Sequence, residues 1–296
     1  VLIGAKLPNT GPLPLERGIH NLARELEEAG ADSIWVSDHV VQPAKITSRY
    51  PFAADGLATW STETPYIEAM VALALAAAAT ERVRLGTAVL VLPLRNPVMF
   101  AKQAASIDVA SRGRLELGLG AGWLEQEFAA LNAPFRRRGR QLTEWIEIAR
   151  ECWSGAPSAH SSEDYTLPAD TLCLPVPAHP IPILLGGHSP GAISRAARIA
   201  DGWLGQQPAG ELDADAIAEV RASLVRAALE SGRGEVEPRI VLRIVESAGS
   251  LNLVAEALNS LTEAGVSEVI IDLTWDSEDQ AAQIALLRTA DAAPAR

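Results

Sequence analysis

The chain has 296 residues, 48% hydrophobic and 21% charged, with a formal net charge of -12 and a pI near 4.9. That composition describes a globular chain with apolar material for a large core. Its acidity, with no basic cluster beyond residues 136–138 and Arg140, excludes the phosphate-neutralising surface that nucleic-acid binding needs.

The two cysteines, Cys152 and Cys173, have no metal-ligand spacing and suggest no disulfide scaffold. The most apolar helical stretch, residues 67–79, falls short of the roughly 20 residues that span a bilayer. No signal-peptide pattern precedes the first apolar run. These features predict a cytoplasmic location and no membrane partner.

The elements follow one rhythm. Residues 1–7 form an apolar run closed by Pro8-Asn9-Thr10-Gly11-Pro12, and residues 15–29 carry apolar side chains at helical spacing up to Gly30. A second strand, residues 33–37, delivers Asp38 and His39 at its carboxyl end. A polar, Pro-rich connection over residues 42–65 is too long for a simple turn, and a helix over 67–79 follows it. The third unit pairs strand 83–92 with helix 96–111. The fourth runs from strand 115–119 through Gly120-Ala121-Gly122 into a helical pattern that extends to Trp153.

Residues 155–180 break the rhythm and read as an insertion over one end of the fold. Strand and helix then alternate four more times, with strands at 181–185, 202–205, 240–245 and 269–273. Eight β/α units with apolar, non-alternating strands predict an α/β fold, a (β/α)8 TIM barrel with an insertion between its fourth and fifth units. An open doubly wound sheet is the alternative, but the first unit lacks a dinucleotide fingerprint. The whole chain, 1–296, reads as a single barrel domain.

In such a barrel chemistry sits at the carboxyl ends of the strands. These ends nominate Lys6 and Asn9, Asp38 and His39, Ala88 and Val89, residues 120–123, residues 186–189, Gly205 and Gln206, Glu246, and Trp275. A histidine with a carboxylate beside it can exchange a proton near neutral pH, so His39 and Asp38 are the candidate catalytic pair; a plain loop hydrogen bond is the alternative role for His39. Gly186-Gly187-His188-Ser189-Pro190 opens a helix whose free N–H groups suit a phosphate, although Ser189 and Pro190 are equally a cap and first helical residue. The histidines have no metal-ligand spacing, and no G-x-S-x-G or Walker lysine occurs. Metal centres, serine hydrolysis and triphosphate chemistry are therefore not expected.

Several stretches together resemble the luciferase-like monooxygenase superfamily of flavin- and deazaflavin-dependent barrels. They are residues 31–39, residues 80–89, Asn96-Pro97 with Ala101-Lys102-Gln103, Gly113-Arg114 leading to Gly118-Leu119-Gly120-Ala121-Gly122-Trp123, Gly139-Arg140, Gly186-Gly187, and Ala200-Asp201-Gly202-Trp203. The likeness spans essentially the whole chain, and Asp38-His39 is most similar to the branch that uses coenzyme F420.

That resemblance implies an oxidoreductase that transfers hydride between F420 and an organic substrate, with His39 handling the proton. It implies a non-prolyl cis peptide at Ala88-Val89 behind the cofactor ring. Gly120, Ala121 and Gly122 would line the cofactor, Gln126 would reach its tail, and Gly186, Gly187 and His188 would hold its phosphate. It also implies a homodimer paired through helices of the second and third units. An FMNH2-dependent monooxygenase and a non-catalytic flavin-binding barrel are the alternatives. Trp123 stands where the sugar-phosphate dehydrogenases of the branch carry glutamate, which argues against a sugar phosphate. Tyr50, Phe52, Trp60 and Tyr66 suggest a medium-sized, partly hydrophobic substrate.

Overall fold

A computed structural model describes residues 1–53, 55–58, 60–234, 237–276 and 279–291. Ala54 and Thr59, in the long second loop, lie outside them. Eight parallel strands close into a barrel: β1 (Leu2–Lys6), β2 (Ser33–Val36), β3 (Arg84–Val91), β4 (Leu115–Gly120), β5 (Ile183–Gly186), β6 (Gly202–Pro208), β7 (Arg239–Val245) and β8 (Val266–Ile271). Going round the barrel, β1 is followed by β8, β7, β6, β5, β4, β3 and β2, so β1, β7 and β8 face β3, β4 and β5 across the mouth.

The helices are α1 (Leu13–Arg17), α2 (Ile19–Glu28), α3 (Ala69–Ala79), α4 (Pro97–Ala110), α5 (Glu125–Ala130), α6 (Arg138–Cys152), α7 (Pro190–Ile199), α8 (Ala214–Glu230), α9 (Leu251–Glu263) and α10 (Gln280–Asp291). Capping fixes several of their starts. Asn96 accepts from the N–H groups of Val98 and Met99, with Pro97 in the first turn. Ser189 caps α7 in the same way, ahead of Pro190.

The single helix expected over 15–29 is instead two. Gly18 takes φ +79° and ψ 137°, outside the helical region, and the His20 ring fills the space a Cβ there would need. The 67–79 stretch is helical only from Ala69, because Glu68 turns extended and accepts from Val71 N. The insertion also differs from expectation. It leaves the end of α6 and pairs His160–Ser161 with Thr166–Leu167 in a short hairpin beside the start of α6. It then returns along α4, where Lys102 Nζ donates to Leu174 O. Its ion pairs with α6, Glu144 to His160 and Arg140 to Glu163, hold it on the outer flank of the barrel and not over an end.

The barrel interior is layered. At the amino-terminal end Arg84 and Arg239 each bridge the two buried carboxylates Glu116 and Glu268. Desolvating four charges is tolerable here because every one meets two partners of opposite sign. Trp35 lies above, donating through Nε1 to Ser33 Oγ at 2.6 Å, and Gly86 leaves room for its ring. Leu184, Leu204, Val241 and Ile270 pack beside it. The barrel is thus filled, and only its carboxyl-end layer is free for chemistry.

Candidate active site

His39 lies just beyond β2, at the mouth. Its Nδ1 is 3.0 Å from Glu127 Oε2, and Glu127 Oε1 accepts from the N–H groups of Val40 at 2.6 Å and Val41 at 3.2 Å. An ionised carboxylate only accepts, so in the neutral imidazole Nδ1 is the donor and Nε2 carries the lone pair. Nε2 has no hydrogen-bond partner among the described residues. The Glu127 side chain is 2% exposed and that of His39 10%, so the dyad is shielded from water but open at one nitrogen.

The carboxylate next to His39 in sequence has a different task. Asp38 accepts from Val91 N at 2.9 Å and takes both amino groups of Arg95 at 2.7 and 2.8 Å. Arg95 also reaches Glu68 at 2.7 Å. Against the desolvation that burial imposes, Asp38 and Glu68 raise the pKa of Arg95 further above its ordinary value. Asp38 therefore ties the end of β2 to the end of β3, while the partner of His39 comes from α5. The inward position of Glu127 was legible as spacing, since it falls three residues after Leu124 and beside Phe128, both buried. An acid in a first turn otherwise reads as a solvated, dipole-favoured residue.

The loop after β2 closes over this dyad with aromatic rings. Tyr50 meets Trp60 and Trp123 at 5.1 Å between centroids, and Tyr66 stands edge-on to His39 at 5.3 Å. Burial foremost, then the charge of Glu127, pushes the Tyr66 phenol up to about 12, so it stays neutral. Gln126 pins the loop: its Oε1 accepts from Thr47 N at 2.8 Å and its Nε2 donates to Lys45 O at 2.7 Å. The side chain expected to reach a cofactor tail is thus already engaged with its own loop.

On the far wall the Ala88–Val89 peptide is cis. Val89 projects between Gly120 and Gly186. A Cβ at Gly120 would lie 2.7 Å from Val89 Cγ2, and one at Gly186 would lie 3.0 Å from Val89 Cγ1. These two glycines make a seat for the valine bulge, and the bulge together with half-buried Ala88 offers a flat apolar wall. Gly122, at φ +83°, is cleared against Val91 and Phe128. Ala121 packs at the edge of the core.

Beyond β5, Gly187 O accepts from Trp203 Nε1 at 2.8 Å, and His188 Nε2 accepts from Gln206 N at 3.0 Å. Burial lowers the His188 pKa, which keeps it a neutral acceptor folded back on the sheet. His188 accordingly faces the protein, packed between Phe52 and Trp203. The cation available near α7 is Arg195, which donates no hydrogen bond among the described residues and lies beside Gly139. Burial, then Arg198 and Arg138, lowers its pKa. Two like charges nearby and no carboxylate among these causes make this an electropositive corner next to the β4 and β5 ends. Asn9, by contrast, stitches backbone, bonding Ser37 and Ile67. Trp275 is covered by the Arg17 guanidinium. The described residues include no cluster that could hold a metal ion, and no helix among them is long and apolar enough to cross a membrane.

The luciferase-like monooxygenase pattern matches residues 8–287. The chain belongs to that family. It is 34% identical over 250 residues to an uncharacterised protein of Mycobacterium tuberculosis, covering 84% of this chain and 83% of the relative. It is 32% identical over 231 residues to an F420-dependent glucose-6-phosphate dehydrogenase of Kineococcus radiotolerans, covering 76% and 62%. Among solved structures this luciferase-like chain superposes with a TM-score of 0.76 on an F420-dependent secondary alcohol dehydrogenase in complex with an F420–acetone adduct, at 16% identity and over 99% of this chain and 98% of that one. The FMN complex of the oxygenating constituent of 3,6-diketocamphane monooxygenase from Pseudomonas putida gives 0.70 at 14% identity, over 98% and 96%. The same fold thus occurs in F420- and FMN-bound proteins, and at these identities the structures speak for the fold alone.

Proposed function

We propose that the protein is an F420-dependent oxidoreductase acting on an organic small molecule. The observation that carries this reading is the Glu127–His39 dyad at the barrel mouth, with no partner for Nε2 among the described residues. Hydride transfer to or from a carbon bearing oxygen leaves a proton to be moved, and a desolvated imidazole of fixed tautomer is suited to move it. The F420-dependent relative supports the choice of cofactor.

The residues fit such a group. The Ala88–Val89 wall backed by Gly120 and Gly186 would hold a planar ring, and Arg195 with the start of α7 would hold an anionic tail. Bound F420 would supply or accept the hydride. The chain's part is placement and proton handling. Glu127 fixes the imidazole, Nε2 accepts the proton of a substrate hydroxyl or returns it, and Tyr50, Trp60 and Trp123 exclude water. Exposed Val71 and Leu75 on α3, with Met99 on α4, suit the homodimer contact expected from the family. The test is a screen for substrate-dependent loss or gain of the oxidised F420 absorbance. Turnover in the wild type that falls at least a hundredfold in His39→Ala supports the reading, and a fall below about tenfold removes the proton role.

A further inference from the structure

The wall opposite the Val89 bulge carries a charge that the proposed chemistry does not use. Gly4 faces the barrel interior, since a Cβ there would meet Ser33, Trp35 and Glu268. Side chains on one face recur every second residue, so Lys6 points inward too, in register with Trp35 at the carboxyl end of β1. Its ammonium donates no hydrogen bond among the described residues. Across the same layer Arg243 Nη2 donates to Asp272 Oδ1 at 2.6 Å, with Arg243 9% exposed.

Lys6, Arg243 and Asp272 sum to one positive charge, with Arg243 already satisfied and Lys6 left over. A half-buried cation with no hydrogen-bonded counter-charge is costly, and a partly desolvated one binds an oxyanion strongly because water competes less. A singly charged group would neutralise the cluster, whereas a phosphate dianion would leave it negative and would meet Asp272 as well. The site lies on β1, β7 and β8, opposite the β3–β4–β5 wall proposed for the ring.

We propose that Lys6, beside the Arg243–Asp272 pair, is a substrate-binding residue that holds the carboxylate of an organic acid. This rests on the proposed function for which side of the mouth is left to substrate, but the anion site itself is testable without any cofactor.

The chain has three lysines, Lys6, Lys45 and Lys102, so protein labelled with 13C at the lysine ε carbon gives three signals, the Lys6 signal assigned by its loss in Lys6→Met. Titration of the full, cofactor-free chain with benzoate should shift the Lys6 signal saturably and leave the other two in place. Inorganic phosphate should bind more weakly. The charged groups that act on Lys6 are Arg243 of β7 and Asp272 beyond β8, and its neighbour on β2 is neutral Trp35. Its pKa is lowered by burial first and by Arg243 next, to about 8. Benzoate should therefore bind below that pH and weaken above it as the ammonium deprotonates.

Followed by tryptophan fluorescence, benzoate affinity should drop at least tenfold in Lys6→Met and stay unchanged in Lys102→Met, with the fold of each checked by circular dichroism. A Lys6 signal that no benzoate concentration moves, or equal drift of all three signals, would overturn the site. Phosphate binding tighter than benzoate would overturn the carboxylate assignment. Failure of F420 to bind in a separate titration would remove the proposed function and leave the anion result standing.

Discussion

Glu127→Gln separates the role of the buried carboxylate from mere packing. Three donors, His39 Nδ1–H and the N–H groups of Val40 and Val41, now share the two oxygens of one carboxylate. Glutamine keeps the shape but offers one oxygen and two hydrogens. The arrangement with fewest clashes leaves the amide oxygen on the backbone donors and turns the amide N–H toward His39 Nδ1, which must then accept. The imidazole proton moves to Nε2, and the nitrogen facing the mouth can no longer take a proton.

Each charge-assisted bond is worth ~1 kcal/mol more than its neutral counterpart, and at 2% exposure water offers no substitute. Three such bonds cost about 3 kcal/mol. At roughly 2–4 °C per kcal/mol for a chain somewhat smaller than this one, Tm falls by roughly 6–12 °C. The decisive assay is 15N NMR of the five histidines, with His39 assigned from His39→Ala. The wild type should carry its proton on Nδ1 and the variant on Nε2, a change that packing alone would not produce. Turnover should fall roughly 10²-fold or more. A His39 signature that is Nδ1-protonated in both proteins refutes the argument.

Other consequences follow from particular contacts. Asp38→Ala leaves Arg95, which is 11% exposed, with Glu68 as its counter-charge, and should cost about 2–3 kcal/mol in chemical denaturation without altering the tautomer of His39. Gly120→Ala forces a methyl to 2.7 Å from Val89, so overpacking of about 1–3 kcal/mol should appear together with weaker F420 binding. Arg195→Gln loses no hydrogen bond among the described residues; its Tm should hold while F420 affinity, measured by fluorescence, drops tenfold or more. The pKa of Lys6 is about 8 folded against an ordinary 10.5, so between those values the unfolded chain binds more protons and stability should rise with pH. Comparison of urea midpoints at pH 8 and 10.5 should show that rise in the wild type relative to Lys6→Met.

Much of this was readable from residue order because strand ends converge in a barrel. Apolar runs at regular spacing announced eight units, and Gly113 to Trp123 announced the mouth. What order could not reveal was partnership. Asp38 and His39 are adjacent in sequence, yet successive side chains diverge, and their carboxylate and guanidinium partners come from α5 and from beyond β3. The glycines presented the same ambiguity. Those expected to admit a ligand admit Val89, Val91 and Phe128, because a missing Cβ records only that something comes close. Gln126 and His188 carry suitable groups, but both are consumed by nearer backbone. Arg195 left no motif, and Lys6 was marked only by its place at a strand end, since whether a charge is paired is visible only once its neighbours are known.

The proposed chemistry depends on the cofactor, and fluorescence titration of the mouth tryptophans, Trp60 and Trp123, reads that choice. F420 and FMN are added separately to the purified chain. Micromolar or tighter binding of F420, with FMN at least tenfold weaker and Arg195→Gln weakened for F420, is the predicted result. Tighter binding of FMN, followed by oxygen uptake with reduced FMN and substrate, would contradict it.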